Sequence, residues 1–149
     1  MKKILAGFIM DGKSGGIDKY LLNFLHNVSS EEIQVDFLTN EVDKELEKQL
    51  ALQKSKMFAI PNLRHPLAQY RQVQRILEKG NYDIVYLNIS TAIDCIAAFA
   101  AKSKKISKIM LHSHSSGNDC ESTGKRVLFN TIHYICRLFF YKAGTEYYG

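Results

Sequence analysis

The stretch Gly7-Phe8-Ile9-Met10-Asp11-Gly12-Lys13-Ser14 matches, letter for letter, the spacing G-x-x-x-x-G-K-[ST]. In a loop of that kind, successive backbone N–H groups cradle a phosphate chain and the lysine neutralises it. At average residue frequencies such a match turns up by chance in about one of two hundred chains this long. An overlapping group, Gly15-Gly16-Ile17-Asp18, offers different chemistry. A glycine pair lets the backbone come close to a ligand, and a helix starting there presents an anion-attracting N-terminus. Asp18 would then sit in the first helical turn, where a carboxylate is favourable. Far along the chain, His112 and His114 flank Ser113. Residues two apart in an extended chain share a face. Imidazole there can hold a hydroxyl or steady developing charge near neutral pH. Asp119 and Cys120 lie close by in sequence, but no ligand spacing supports a metal, and none is expected.

The two glycine arrangements demand different chain paths. The first needs Phe8, Ile9 and Met10 in an exposed loop and puts Gly15 and Gly16 in a helical turn, at ~1 kcal/mol each relative to alanine. The second runs the first strand to Met10, buries its apolar residues and starts the helix at Gly16. The best strand, YDIVYLN, ends in Asn88 and offers no carboxylate for magnesium. The second path is preferred, with nucleotide binding through Gly7–Ser14 as an alternative.

Other elements follow from periodicity. Lys3–Met10 and Ile33–Leu38 read as strands, the first a short apolar run and the second alternating. Ile17, Leu21, Phe24, Leu25 and Val28 recur at helical spacing. A charged helix is expected over 41–53 and a brief strand over 57–60, stopped by Pro61. Leu67, Tyr70, Val73, Ile76 and Leu77 mark a third helix, closed by Gly80. A strand over 82–87, a helix over 91–102, a strand over 106–111 and a long helix over 124–142 complete the series. Five alternations of strand and helix predict a Rossmann-like α/β fold: an open parallel sheet with helices on both faces. One domain over 1–149 is expected, with no repeat or linker. Ligands of such sheets bind beyond the carboxyl ends of the strands. Asp11, Gly15, Gly16, Thr39, Asn40, Ser90, His112, Ser113 and His114 gather on that edge.

The 149 residues carry a net charge of +5, with 46% hydrophobic and 23% charged residues. That profile excludes disorder and suggests an anionic partner. Without a dense basic block, nucleic acid is not expected. Cys95, Cys120 and Cys136 are odd in number and unclustered, as for thiols in a reducing compartment. The N-terminal apolar run stops at Asp11 without a cleavage site, and no run reaches the ~18 residues of a membrane span. A cytoplasmic protein is expected.

MKKILAGFIMDGKSGGIDKYLLNFL resembles the opening of bacterial GT-B glycosyltransferases of family 4, particularly those of capsular and exopolysaccharide biosynthesis. NYDIVYLNIS and KIMLHSHSSG resemble later strands of the same family. The resemblance covers the whole chain in order. It implies the acceptor-binding N-terminal half of a two-domain enzyme, with the donor-binding half, bearing a Glu-x7-Glu motif, absent. It implies a retaining, hexosyl-type sugar transferase that uses a nucleotide-sugar donor, a glycan or lipid-linked acceptor and no further cofactor. Gly15, Gly16 and Asp18 would lie near the donor phosphates and acceptor. His114 or His112 would lie beside the transferred sugar, with Ser90 and Ser113 as further contacts. Asn88 and Ser90 stand where relatives often have histidine. The almost wholly apolar helix after Gly124 would meet the second half or a membrane surface. A non-catalytic binding module of the same fold is the other alternative. On this resemblance the chain alone is expected to be inactive.

Overall fold

A computed structural model describes residues 1–13, 15–28, 32–89, 92–113 and 144–148, together with 124, 127, 128, 130–132, 134, 135 and 138. Strand β1 (Lys2–Gly7) leads into α1 (Gly15–Val28), β2 (Ile33–Thr39), α2 (Lys44–Leu52) and β3 (Met57–Ala59). Then come α3 (Pro66–Gly80), β4 (Ile84–Ile89), a 3₁₀ turn (Ala92–Cys95), α4 (Ile96–Ser103), β5 (Lys108–Ser113) and β6 (Glu146–Tyr148). The described residues between 124 and 138 are helical. All six strands are parallel, in the order β3-β2-β1-β4-β5-β6. The strand order reverses between β1 and β4, and the ends of those two strands frame the crevice used by ligands in such sheets.

Strand alternation divides the core into two layers. Ile4, Ala6, Val35, Phe37 and Tyr86 face Leu21 and Leu25 of α1 and Leu46 and Leu50 of α2. Leu5, Leu38, Val85, Leu87 and Ile109 face Val73 and Leu77 of α3 and the alanines of α4. Helices on both faces explain why these strands read as nearly unbroken apolar runs. Local signals set the helix ends. The Asp43 carboxylate caps α2 by accepting from the N–H of Glu45 and Leu46 at 3.0 and 2.8 Å. Pro66 opens α3.

The structure corrects three boundaries. The long helix-to-sheet return carries an unexpected sixth strand, Glu146–Tyr148, paired to β5. The residue that turns the chain after α3 is Asn81, left-handed at φ 52°, rather than Gly80. Gly80 is needed for space instead: a Cβ there would sit 2.0 Å from the Tyr82 ring. Finally, β1 ends at Gly7, not Met10. Ile9 is still fully buried and donates its N–H to Leu38 O at 3.0 Å, but Met10 is 59% exposed. The cause of that early turn lies in α1.

Candidate functional site

Asp18 is wholly buried in the first turn of α1. Its carboxylate accepts the backbone N–H of Met10 (3.1 Å to Oδ1), Asp11 (2.9 Å) and Gly12 (2.8 Å). Lys13 N–H goes to Asp11 Oδ1 at 2.8 Å. A buried carboxylate needs such donors, and it draws residues 10–12 off the sheet into a curl that sets the floor of the crevice. Gly12 permits the curl with φ +72°, packed so closely that an added Cβ would lie 2.9 Å from Leu46 Cδ1. Asp18 therefore shapes the loop from inside; its oxygens are committed to the backbone rather than offered to a ligand.

The same contacts answer the phosphate-loop motif. The N–H groups of residues 10–12, which such a loop would wrap round a phosphate, already hold the protein's own carboxylate. The helix starts at Gly15, beyond the Gly-Lys-Ser triplet. The Lys13 ammonium turns outward to Glu45 Oε2 at 2.5 Å, and that carboxylate raises its pKa. Residues 7–14 match the motif in letters and not in architecture.

Gly15 and Gly16 differ from each other. Gly15 adopts φ +83°, a conformation glycine takes without penalty. Gly16 has no such backbone need, and a Cβ at either glycine would meet no described atom within 4 Å. One turn on, Tyr20 brings the start of α1 into contact with β4 and β5. Its ring sits edge-on to His112, with centroids 5.5 Å apart. Tyr86 lies beneath, stacked on Phe24 at 5.3 Å, with its hydroxyl 2.9 Å from the Tyr20 hydroxyl and 2.7 Å from His112 Nδ1. A hydroxyl has one proton. If Tyr86 gives it to Tyr20, Nδ1 is a donor; if it gives it to Nδ1, Tyr20 is a donor. Either way Nδ1 is engaged within the cluster, which orients the ring. Burial, and then the Tyr20 hydrogen bond, push the Tyr86 phenol well above its usual range, so it stays neutral.

The sequence-predicted residues thus fall as follows. Gly15, Gly16, Asp18, His112 and Ser113 are all at the carboxyl edge of the sheet, His112 and Ser113 as the last residues of β5. His112 is half-buried and Ser113 exposed. His114 and Ser90 lie outside the described residues, as do Asp119 and Cys120. Asn88 is inside β4, buried, with its Nδ2 donating to Gly7 O at 3.3 Å, so it ties the ends of β1 and β4 across the switch point. Tyr20 and Tyr86 escaped the sequence reading. A tyrosine within the best apolar strand, and another four residues after Gly16, were the available signals. Beside the glycine turn, a cavity of about 410 Å³ opens between the loops after β1 and β2, lined among others by Met10, Asp11, Thr39, Asn40 and Glu41.

Comparison with known proteins agrees with this arrangement. The family model for glycosyltransferase family 4 matches residues 14–145, and the chain belongs to that family. Among solved structures it is similar to Acinetobacter baumannii MurG, with 16% identity and TM-score 0.53 over 76% of this chain and 34% of that one. It is also similar to a protein assigned as a UDP-N-acetylglucosamine 2-epimerase from Listeria monocytogenes, with 14% identity and TM-score 0.57 over 99% of this chain and 39% of that one. These likenesses concern the fold, and the chain spans little more than a third of either protein. Among curated proteins none matches.

Proposed function

We propose that this family-4 chain is the acceptor-binding half of a retaining, hexosyl-type glycosyltransferase of cell-surface polysaccharide biosynthesis. In the complete enzyme the acceptor hydroxyl attacks the anomeric carbon of a nucleotide sugar, its proton is released, and the nucleoside diphosphate leaves with the electron pair of the broken bond. The reactants must be held together in reacting geometry. The chain's contribution is the carboxyl edge of the sheet. The N-terminus of α1 faces anionic phosphate, Gly16 leaves room for it, and His112, with His114 beyond, meets sugar hydroxyls. The 410 Å³ cavity between the loops after β1 and β2 suits a glycan or lipid-linked acceptor. The donor is held mainly by a second α/β half.

The observation that carries this reading is the aromatic cluster. Tyr20 and Tyr86 fasten the imidazole of β5 to the first turns of α1, so the glycine turn and His112 belong to one site. Exposed Val127, Leu128, Ile135 and Leu138, at 60, 59, 49 and 58%, support a further contact with the second half or a membrane surface at the inner face of the cell. The test is substitution in a protein carrying both halves. His112→Ala and His114→Ala should each lower kcat for sugar transfer at least about tenfold while shifting the unfolding midpoint little. Equal loss of transfer and stability from both would make the histidines structural and remove the proposal's basis.

A further inference from the structure

The opposite edge of the sheet holds a cavity of about 480 Å³ that the transfer reaction does not use. It sits at the amino ends of β1, β2 and β3, under the last turns of α3. Four cationic residues line it: Lys3 of β1, Lys56 just before β3, and Arg75 and Lys79 of α3. Against them stands one lining carboxylate, Asp36, which is 3% exposed. Asp36 is already saturated. Oδ1 accepts the Lys56 backbone N–H at 2.8 Å, Oδ2 accepts the Tyr82 hydroxyl at 2.6 Å, and Gln34 Nε2 lies 3.2 Å from Oδ1. Among the described residues, none of the four cations forms an ion pair. Glu78, three residues after Arg75, is taken instead by Lys104.

Arg75 and Lys79 are four apart on one helix, where like charges repel. Much of the chain's +5 surplus is therefore gathered round one concave site. The cavity lies within the ~300–1,000 Å³ of small-molecule pockets. A single carboxylate would leave most of that charge unmatched, whereas a phosphate or diphosphate presents several anionic oxygens to separate donors. Phe58 and Ile76 supply an apolar wall beside the cations for the organic part of such a molecule.

We infer that this cavity binds an organic phosphate, with its phosphate or diphosphate group on Lys3, Lys56, Arg75 and Lys79 and its apolar portion against Phe58 and Ile76. The site is independent of the sugar-transfer reading. Its ligand is either a free phosphate compound or the headgroup of an anionic lipid, and two arms of one experiment separate these. Inorganic pyrophosphate is titrated into the ¹⁵N-labelled chain at fixed ionic strength. Sedimentation with phosphatidylglycerol vesicles, against phosphatidylcholine vesicles, is run in parallel.

The proposal expects saturable shifts at the amides of Lys3, Lys56 and Gly80, or sedimentation with phosphatidylglycerol alone. The double variant Lys56→Gln/Arg75→Gln should weaken whichever binding occurs about tenfold. These residues are exposed, so the fold should be unaffected, and a Lys102→Gln/Lys105→Gln control should bind as the parent does. Pyrophosphate binding assigns a free ligand and vesicle binding a lipid. Absence of both, shifts centred on Gly15 and Gly16, or equal binding by the Lys56/Arg75 variant overturns the inference.

Discussion

Asp18 illustrates how a residue's place can be legible while its role is not. Its position in the first turn of a helix follows from the Gly-Gly-Ile-Asp spacing, and a carboxylate there reads as a dipole partner or ligand contact. Only the folded chain brings Met10, Asp11 and Gly12 round it. Asp18→Asn keeps the size but presents an N–H₂ to backbone donors. It should cost about 2–3 kcal/mol, seen as a lower urea midpoint at unchanged slope. Tyr82 behaves similarly at the opposite edge. Burial, then the hydrogen bond and charge of Asp36, raise its phenol far above the usual tyrosine value, so the folded state holds the proton that the unfolded chain releases. A group raised on folding stabilises fully below its unfolded pKa, near 10, and that stability is lost as pH climbs beyond it. Urea midpoints should therefore fall between about pH 9 and about pH 11, and fall less in Tyr82→Phe. An equal fall would place the loss elsewhere.

At the scale of elements, periodicity located every helix core and the first five strands, because apolar spacing is a local property. The ends were less legible because they are decided by contacts distant in sequence. Lys3–Met10 reads as one apolar run, but the strand stops at Gly7. There Gly7 O accepts from Asn88, and the next residues answer to Asp18. β6 was missed because three residues carry no period, and its strand character comes from pairing with Met110–His112. The phosphate-loop spelling misled for the same reason: the letters say nothing about which groups take the N–H donors. The two glycines of the turn offer a direct test of element against site. Gly15→Ala must place a side chain at φ +83° and should cost about 1 kcal/mol of stability. Gly16→Ala should be neutral or slightly stabilising, since alanine favours a helix start over glycine. If Gly16 serves ligand approach, transfer by the two-domain protein should fall in Gly16→Ala despite unimpaired stability. Full activity in that variant would leave Gly16 without a functional role.

The whole molecule is a six-stranded parallel sheet with different chemistry at its two edges. The carboxyl edge carries the glycine turn, His112 and the neighbouring cavity; the amino edge carries the basic cavity around Asp36. Fold class was readable from the order of elements, and the family from short motifs in sequence order. The join between α1 and β5 was not readable, since it rests on Tyr20 and Tyr86, residues far apart in the chain whose hydroxyls meet only in the folded sheet. Among the described residues no helix is long and apolar enough to cross a membrane. The central claim is that the glycine turn and His112 form one sugar-nucleotide-facing site that lacks its principal donor contacts in this chain. Its most direct measurement is a titration of the ¹⁵N-labelled chain with a panel of nucleotide sugars, following backbone amides and imidazole ring nitrogens together. The account predicts weak binding, in the millimolar range, with shifts concentrated at Gly15, Gly16, Ile17 and the His112 ring. Micromolar saturation, or shifts elsewhere with those residues silent, would contradict it.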